Sequence, residues 1–275
     1  MISNQKRAKG LRFPKSSDRI ALIIQFNNFA GIKMAEKTIL ITGATAGIGL
    51  AVAKHNIKLG NKVLVTGRNQ DKLDSLSSEL NVSTYLVDSA DLSHIHTLGE
   101  SLQCDGIKLD AVVLNAGIFY PRTFNQITPE HYEETMNINT RGPIFTLHSL
   151  LPSLKSPSSV VFISSIAAFK GFVGGSIYSA SKAAFEGVVR SLNIELAEAG
   201  VRINVIRPGV TATEIQEKAG MTKEQQDEFF NSLSSIPLQR VLTPNDHLSG
   251  IQYLIEDGSI GVRNAFIDID GGYCG

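Results

Sequence analysis

The sequence has no tryptophan, two cysteines and no net charge, with 26 Lys and Arg against 26 Asp and Glu over 275 residues. Cys104 and Cys274 lie too far apart for a short-spaced zinc site, and two thiols do not make a disulfide scaffold. A reducing compartment, the cytoplasm, is the expected location. The balanced charge leaves no electrostatic footprint for nucleic acid. No apolar run approaches the roughly 20 residues that cross a bilayer, and the apolar piece at 20–24 is far too short. Polar residues separate it from the preceding basic region, so it does not form a signal peptide either. His94 and His96 sit in a polar helical start without further ligands nearby, so they read as solvated side chains and no metal is expected.

What is present is ordinary globular material, 43% hydrophobic and 19% charged, enough for one α/β domain with a substantial core. The charge is unevenly spread. Residues 1–33 hold seven Lys and Arg and one acid, Asp18, which leaves 19 bases and 25 acids, a net of −6, in the rest. Such a basic, acid-poor segment has two readings. One is an organellar targeting segment. The other, adopted here, is an extension that contributes little to the fold, with Met34 opening the domain at 34–275.

Short β-branched runs at 38–42, 62–66, 84–87, 111–115, 159–164, 202–206 and 265–269 predict seven strands. Helical patterns fall between them at 48–58, 70–80, 94–102, 129–151, 176–198 and 245–254. Strands alternating with helices imply parallel pairing and right-handed crossovers. The expected fold is therefore α/β: a doubly wound, seven-stranded parallel sheet of Rossmann type with helices on both faces. The stretch 210–237 breaks the rhythm. Most of it is polar and helix-prone, with apolar Phe229 and Phe230, and it reads as a lid.

Chemistry concentrates at strand ends. After the first strand comes Thr42-Gly43-Ala44-Thr45-Ala46-Gly47-Ile48-Gly49, a glycine-rich turn opening a helix. Glycines there let the backbone approach a pyrophosphate at the positive helix end. The spacing is G-x-x-x-G-x-G, not the usual G-x-G-x-x-G, and a turn serving helix–strand packing alone remains the alternative. Asn115-Ala116-Gly117 ends a second strand with small residues that admit something flat. Ser164 and Ser165 end a third, and alternation makes Ser164 the structural serine. Thirteen residues after Ser165 comes Tyr178-Ser179-Ala180-Ser181-Lys182. A phenol and an ammonium four apart share one helix face. The ammonium is expected to lower the phenol's pKa and make it a usable proton donor.

In this order the elements resemble a short-chain dehydrogenase/reductase of the single-domain branch, over about Lys37 to Gly272. The elements carrying the resemblance are the Thr42–Gly49 turn, Asp91-Leu92, Asn115-Ala116-Gly117, Asn139, Ser165, Tyr178 with Lys182, Pro208-Gly209 with Thr213, and Asp270-Gly271-Gly272. The resemblance implies catalysis by Ser165, Tyr178, Lys182 and Asn139. Lys182 also holds the nicotinamide ribose, and Asn139 supports a proton-relaying water, unless it is simply a buried helix-stabilising amide. It also implies a cofactor held by Gly43, Thr45, Gly47, Ile48 and Gly49, and by the Asn115-Ala116-Gly117 end. Asp91 and Leu92 flank the adenine. Pro208, Gly209, Val210, Thr211 and Thr213 hold the carboxamide.

The second strand ends in Gly67-Arg68, where NAD-binding relatives place a carboxylate. A guanidinium there suits a 2′-phosphate, so NADP(H) is expected over NAD(H). The expected activity is hydride transfer between the nicotinamide and a small carbonyl or secondary alcohol. Phe119, Tyr120, Phe169, Phe172, Phe229 and Phe230 are candidate pocket walls. Chain length and the Asp270-Gly271-Gly272 ending resemble 3-oxoacyl-carrier-protein reductases, which is the alternative. A non-catalytic NADP(H)-sensing protein is the outside alternative, and the presence of both Tyr178 and Lys182 speaks against it. An extended-branch epimerase or dehydratase needs a larger C-terminal region than this length allows. Family members usually assemble as dimers or tetramers, so a homo-oligomer is expected.

Overall fold

Seven apolar runs become seven strands: β1 (Thr38–Ile41), β2 (Lys62–Gly67), β3 (Ser83–Leu86), β4 (Leu109–Leu114), β5 (Leu154–Ile163), β6 (Val201–Pro208) and β7 (Phe266–Ile269). The computed structural model describes residues 36–275, so the expectations for 1–33 lie outside the described residues. All pairings are parallel, in the order β3-β2-β1-β4-β5-β6-β7. The chain runs outward from β1 to β3, then crosses back to place β4 on the other side of β1. That reversal opens a crevice beyond the carboxyl ends of β1 and β4, where ligands of such sheets sit.

Alternation along each strand divides the core into two layers. Ile39, Ile41, Val63, Val65, Val113 and Val161 face one side. There they meet Val52 and Ala53 of α1 (Gly47–Lys58), Leu73 and Leu76 of α2 (Gln70–Leu80), and a late helix considered below. Leu40, Leu64, Val112, Leu114, Val160 and Phe162 face the other. They pack on Ile95, Leu98 and Leu102 of α3 (Leu92–Cys104), and on Leu147, Leu150, Phe185 and Val189 of two later helices. Both faces being covered explains why the strand sequences are nearly continuous apolar runs.

One helix expected as continuous, 129–151, is interrupted. It is built from α4 (Pro129–Met136), a π-helical turn over Asn137–Arg141, and α5 (Gly142–Leu150). Such π turns widen a helix locally and often mark functional positions. Asn139 sits in this one and is fully buried. α6 (Ser176–Glu195) follows β5, and its Phe185 and Val189 are wholly inside. After β6 come two short helices, α7 (Glu214–Lys218) and α8 (Lys223–Ser232). They lie within the 210–237 segment that broke the strand–helix rhythm. α9 (Leu248–Ile255) closes the first face with Ile251, Leu254 and Ile255. No helix among the described residues is long and apolar enough to cross a membrane.

Candidate active site

A cleft of about 590 Å³ opens at the carboxyl ends of the central strands. Its floor is set by close backbone approach between the β1 turn and the end of β4. Thr42 Oγ1 accepts hydrogen bonds from the backbone N–H groups of Asn115 (2.9 Å) and Ala116 (3.0 Å). Asn115 Nδ2 donates to the carbonyls of Thr42 (2.9 Å) and Gly43 (3.1 Å). Gly43 has φ +63°, and a Cβ there would lie 2.8 Å from Ala116 Cα. A Cβ on Gly49 would lie 2.5 Å from Asn115 Nδ2. Only glycine fits either position, and each serves the packing that shapes the cleft.

α1 begins at this turn without a side-chain cap, because Ala46 has none to offer. Its first N–H groups therefore remain available beside Gly47 and Ile48, which line the cleft. An uncapped, positively polarised helix end is the donor set a pyrophosphate requires. Arg68 lines the same end, and its guanidinium makes no hydrogen bond or ion pair with another side chain among the described residues. Asn69, next to it, is occupied: it caps α2 by accepting the Lys72 N–H at 2.8 Å. The residues present thus fit a nicotinamide dinucleotide.

The other end of the cleft carries the candidate catalytic side chains. α6 places Tyr178 and Lys182 one turn apart, and Ser165 follows β5. Lys182 is 3% exposed, and its Nζ donates to the Ile163 carbonyl at 2.9 Å. Burial pushes its pKa down to about 8, with the negative charge of Glu186 opposing the fall. Tyr178 is packed against Phe119, with ring centroids 4.9 Å apart. Here the sequence expectation is corrected. Burial pushes the Tyr178 phenol above its usual value, and the group that pulls it back is the Ser165 hydroxyl through a hydrogen bond, not Lys182. The Lys182 ammonium is turned toward the end of β5 and stands 5.9 Å from the centre of the Tyr178 ring.

Asn139 lies behind these groups. Its Oδ1 accepts the Ile118 N–H at 2.8 Å, and its Nδ2 donates to the Ile118 carbonyl (2.9 Å) and to Ser181 Oγ (3.1 Å). The amide therefore joins the end of β4 to α6. A Cβ on Gly117 would come within 3.2 Å of both Asn139 Oδ1 and Lys182 Nζ, so Gly117 leaves room where these elements converge.

Most sequence-selected residues meet here. Gly43, Thr45, Gly47, Ile48, Arg68, Asn115, Ala116, Gly117, Ser165, Tyr178, Lys182, Pro208, Gly209, Val210, Thr211 and Thr213 line the cleft. Gly49 and Asn139 support it from beneath. Asp91 and Leu92 do not reach it. Asp91 is the N-cap of α3 and accepts from the Ser93 N–H (2.8 Å) and hydroxyl (2.6 Å). Val87, Asp88 and Ser89 line the cleft in their place. These directly follow β3, and the strand boundary was the signal that could have located them. Among the aromatic candidates, Phe119, Tyr120, Phe172 and Phe229 are walls, whereas Phe169 and Phe230 are not. Sequence reading also missed His247, a fully buried imidazole whose Nε2 is 2.9 Å from Thr211 Oγ1.

The model of the family described as short chain dehydrogenase matches residues 37–224. Over 244 residues the chain is 32% identical to an oxidoreductase, asL5, of Sarocladium schorii, covering 87% of this chain and 96% of the relative. It is 30% identical to the 3-oxoacyl-[acyl-carrier-protein] reductase FabG of Rickettsia felis, covering 88% and 98%. A solved short-chain dehydrogenase of the glucose/ribitol type from Brucella melitensis superposes with a TM-score of 0.79 at 26% identity, covering 86% and 96%. A blue fluorescent protein from a metagenomic library, solved with NADPH, gives 0.79 at 25% identity, covering 87% and 98%. The sheet order, the cleft beyond it and these matches lead to one conclusion: the chain belongs to the short-chain dehydrogenase/reductase family of oxidoreductases.

Proposed function

We propose that the chain is an NADP(H)-dependent reductase of carbonyl compounds, or the corresponding secondary-alcohol dehydrogenase. The observation that carries this reading is the Ser165–Tyr178–Lys182 cluster, in which Lys182 is buried, facing a cleft whose far end offers an uncapped helix start and Arg68. The reduced nicotinamide, when bound, supplies the hydride. Negative charge then develops on the substrate oxygen, and preorganised donors stabilise it. Ser165 holds that oxygen by its hydroxyl. Tyr178 delivers the proton as general acid: its phenol is protonated at neutral pH, and the Ser165 hydrogen bond offsets part of the rise in pKa that burial imposes. Lys182, one turn along α6, would stabilise by its positive charge the phenolate left on Tyr178 until a proton returns from solvent, and would hold the ribose side of the cofactor. Asn139 ties Lys182's helix to the end of β4 and supports proton return from solvent. Asp88 and Ser89 take the adenine end in place of Asp91 and Leu92.

Phe119, Tyr120, Phe172 and Phe229 favour a substrate with an apolar flank beside its carbonyl. The 210–237 segment is the lid, since Phe229 of α8 reaches the cleft from it. Exposed Tyr132, Phe145 and Ile194 on α4, α5 and α6 support assembly into a dimer or tetramer through these helices. Free Cys104 and Cys274 suit a cytoplasmic enzyme.

The matches to FabG proteins favour a second reading, reduction of a 3-oxoacyl thioester on a carrier protein. Steady-state assays over small ketones, the matching alcohols and a 3-oxoacyl-carrier thioester, each with both cofactors, separate the two. Turnover of small ketones with NADPH is the expected result. Turnover of the thioester alone selects the second reading. Absence of turnover on the whole panel, with NADPH still bound, overturns both.

A further inference from the structure

Glu186 lies one turn past Lys182 on α6 and has no part in the chemistry above, yet it is 3% exposed. Carboxylates are rarely buried so deeply unless paired. This one accepts three hydrogen bonds. Ser164 Oγ donates to Oε1 at 2.7 Å, Arg207 Nε donates to the same oxygen at 2.8 Å, and Arg207 Nη2 donates to Oε2 at 2.6 Å. Arg207, near the end of β6, is itself fixed against the rings of Phe169 (4.9 Å) and Phe266 (4.6 Å). Ser164 and Phe169 bracket the catalytic serine. Ser164 immediately precedes it, and Phe169 closes the single 3-10 turn, Ile166–Ala168, that Ser165 caps. One side chain on the Tyr178 helix thus gathers both ends of the Ser165 turn.

We propose that Glu186 is a positioning residue, which ties the Ser165 turn to the helix bearing Tyr178 and supplies the counter-charge to Lys182. The inference rests on the assignment of Ser165, Tyr178 and Lys182 given above. Residues four apart on a helix are neighbours, so the Glu186 charge acts on the Lys182 ammonium through a water-poor interior. The charged groups around the carboxylate are Lys182 on its own helix, Arg207 on β6 and Asp268 on β7, 3.5 Å from Arg207 Nη1. Arg190, one turn further along α6, stacks on Phe266 at 4.9 Å. The same carboxylate strengthens the hold of Arg207 on its proton. A buried ion pair is weak evidence of a gain in stability, because well-packed apolar residues often replace one without loss.

Glu186→Gln keeps the shape and can still accept from Ser164, but it removes the charge. The test is a titration of the Lys182 side chain by NMR of the full chain labelled at lysine, alongside the pH profile of kcat. The Lys182 midpoint in Glu186→Gln is expected to fall by about one pH unit or more, and the alkaline loss of kcat to move with it. Glu186→Asp should recover part of the shift. Ser164→Ala keeps the charge and removes one tether. It should lower kcat about threefold to tenfold with the Lys182 midpoint unmoved. An unchanged midpoint in folded Glu186→Gln overturns the counter-charge role. An unchanged kcat in Ser164→Ala overturns the tether, and it does so even where Glu186→Gln does not fold. The NMR readout needs no substrate, so a failed substrate assignment and a failed Glu186 assignment give different results.

Discussion

The two walls of the cleft are held by different means. On the β5–α6 side, Asn139, Ser164, Lys182 and Glu186 are all buried, and each makes at least one hydrogen bond to a neighbouring element. On the 210–237 side, α8 has no buried residue, and its start is held by its own Thr222–Gln225 capping box. The tie from this wall to the body near Arg68 is Lys72 to Glu214 at 3.2 Å, an ion pair with both side chains more than two-fifths exposed. Geometry is thus over-determined around the proposed catalytic groups and lightly set at the proposed lid. Thr211, Gln216 and Leu233 anchor the ends of this segment, whereas opening α8 itself breaks few buried contacts, so α8 belongs to the low-stability part of the molecule. Thr211 stands at the seam. Its hydroxyl meets His247, and its carbonyl accepts from Gln216 of α7 at 2.8 Å.

The comparison is broken most severely at the rigid wall. Tyr178→Phe is expected to lower turnover by about 10²–10⁴-fold, with NADPH binding kept. Steady-state rates and a cofactor-fluorescence titration check both halves, and the absence of tryptophan keeps the protein background low. The next effect lies at the seam. Burial pushes the His247 pKa from 6.5 down to about 4. Between those values the unfolded chain binds a proton that the folded chain does not, so stability rises with pH there and is lost as pH falls from 6.5 toward 4. The loss should approach about 3 kcal/mol, seen as a falling melting temperature across a pH series, and His247→Leu should remove this share of the slope.

A smaller effect is expected at the cofactor end. Arg68→Ala should lower kcat/KM with NADPH by about 10–100-fold and leave NADH nearly unaffected, measured by kinetics with each cofactor. The smallest concerns the exposed tie. Lys72→Ala should change unfolding free energy by less than about 1 kcal/mol in a denaturant titration. A larger loss would mean that the second wall is held as firmly as the first, and the contrast between them would fall.

Much of this was legible from residues. The seven apolar runs, the Thr42–Gly49 turn, Ser165 and the Tyr178/Lys182 pair follow from local patterning and order along the chain. The errors share a physical cause. Asp91 was expected at the adenine from the family resemblance, but an Asp ahead of a helix is also a good cap, and its hydrogen bonds are spent on the start of α3. The sign of the Tyr178 shift was missed because helical spacing shows that two side chains share a face without showing how deeply either is buried. The π turn at Asn139 left no signal in the 129–151 pattern, since its hydrophobic spacing reads as an uninterrupted helix.

Local order in the chain determined the strand–helix alternation, the parallel sheet and the choice of candidate reactive groups, because strand period, glycine turns and helical spacing are properties of neighbouring residues. Only the tertiary structure decided that Glu186 and Arg207 meet beneath the serine turn and that His247 reaches Thr211. Those outcomes depend on desolvation and on partners brought from distant strands, and neither quantity exists until the sheet has closed over its helices.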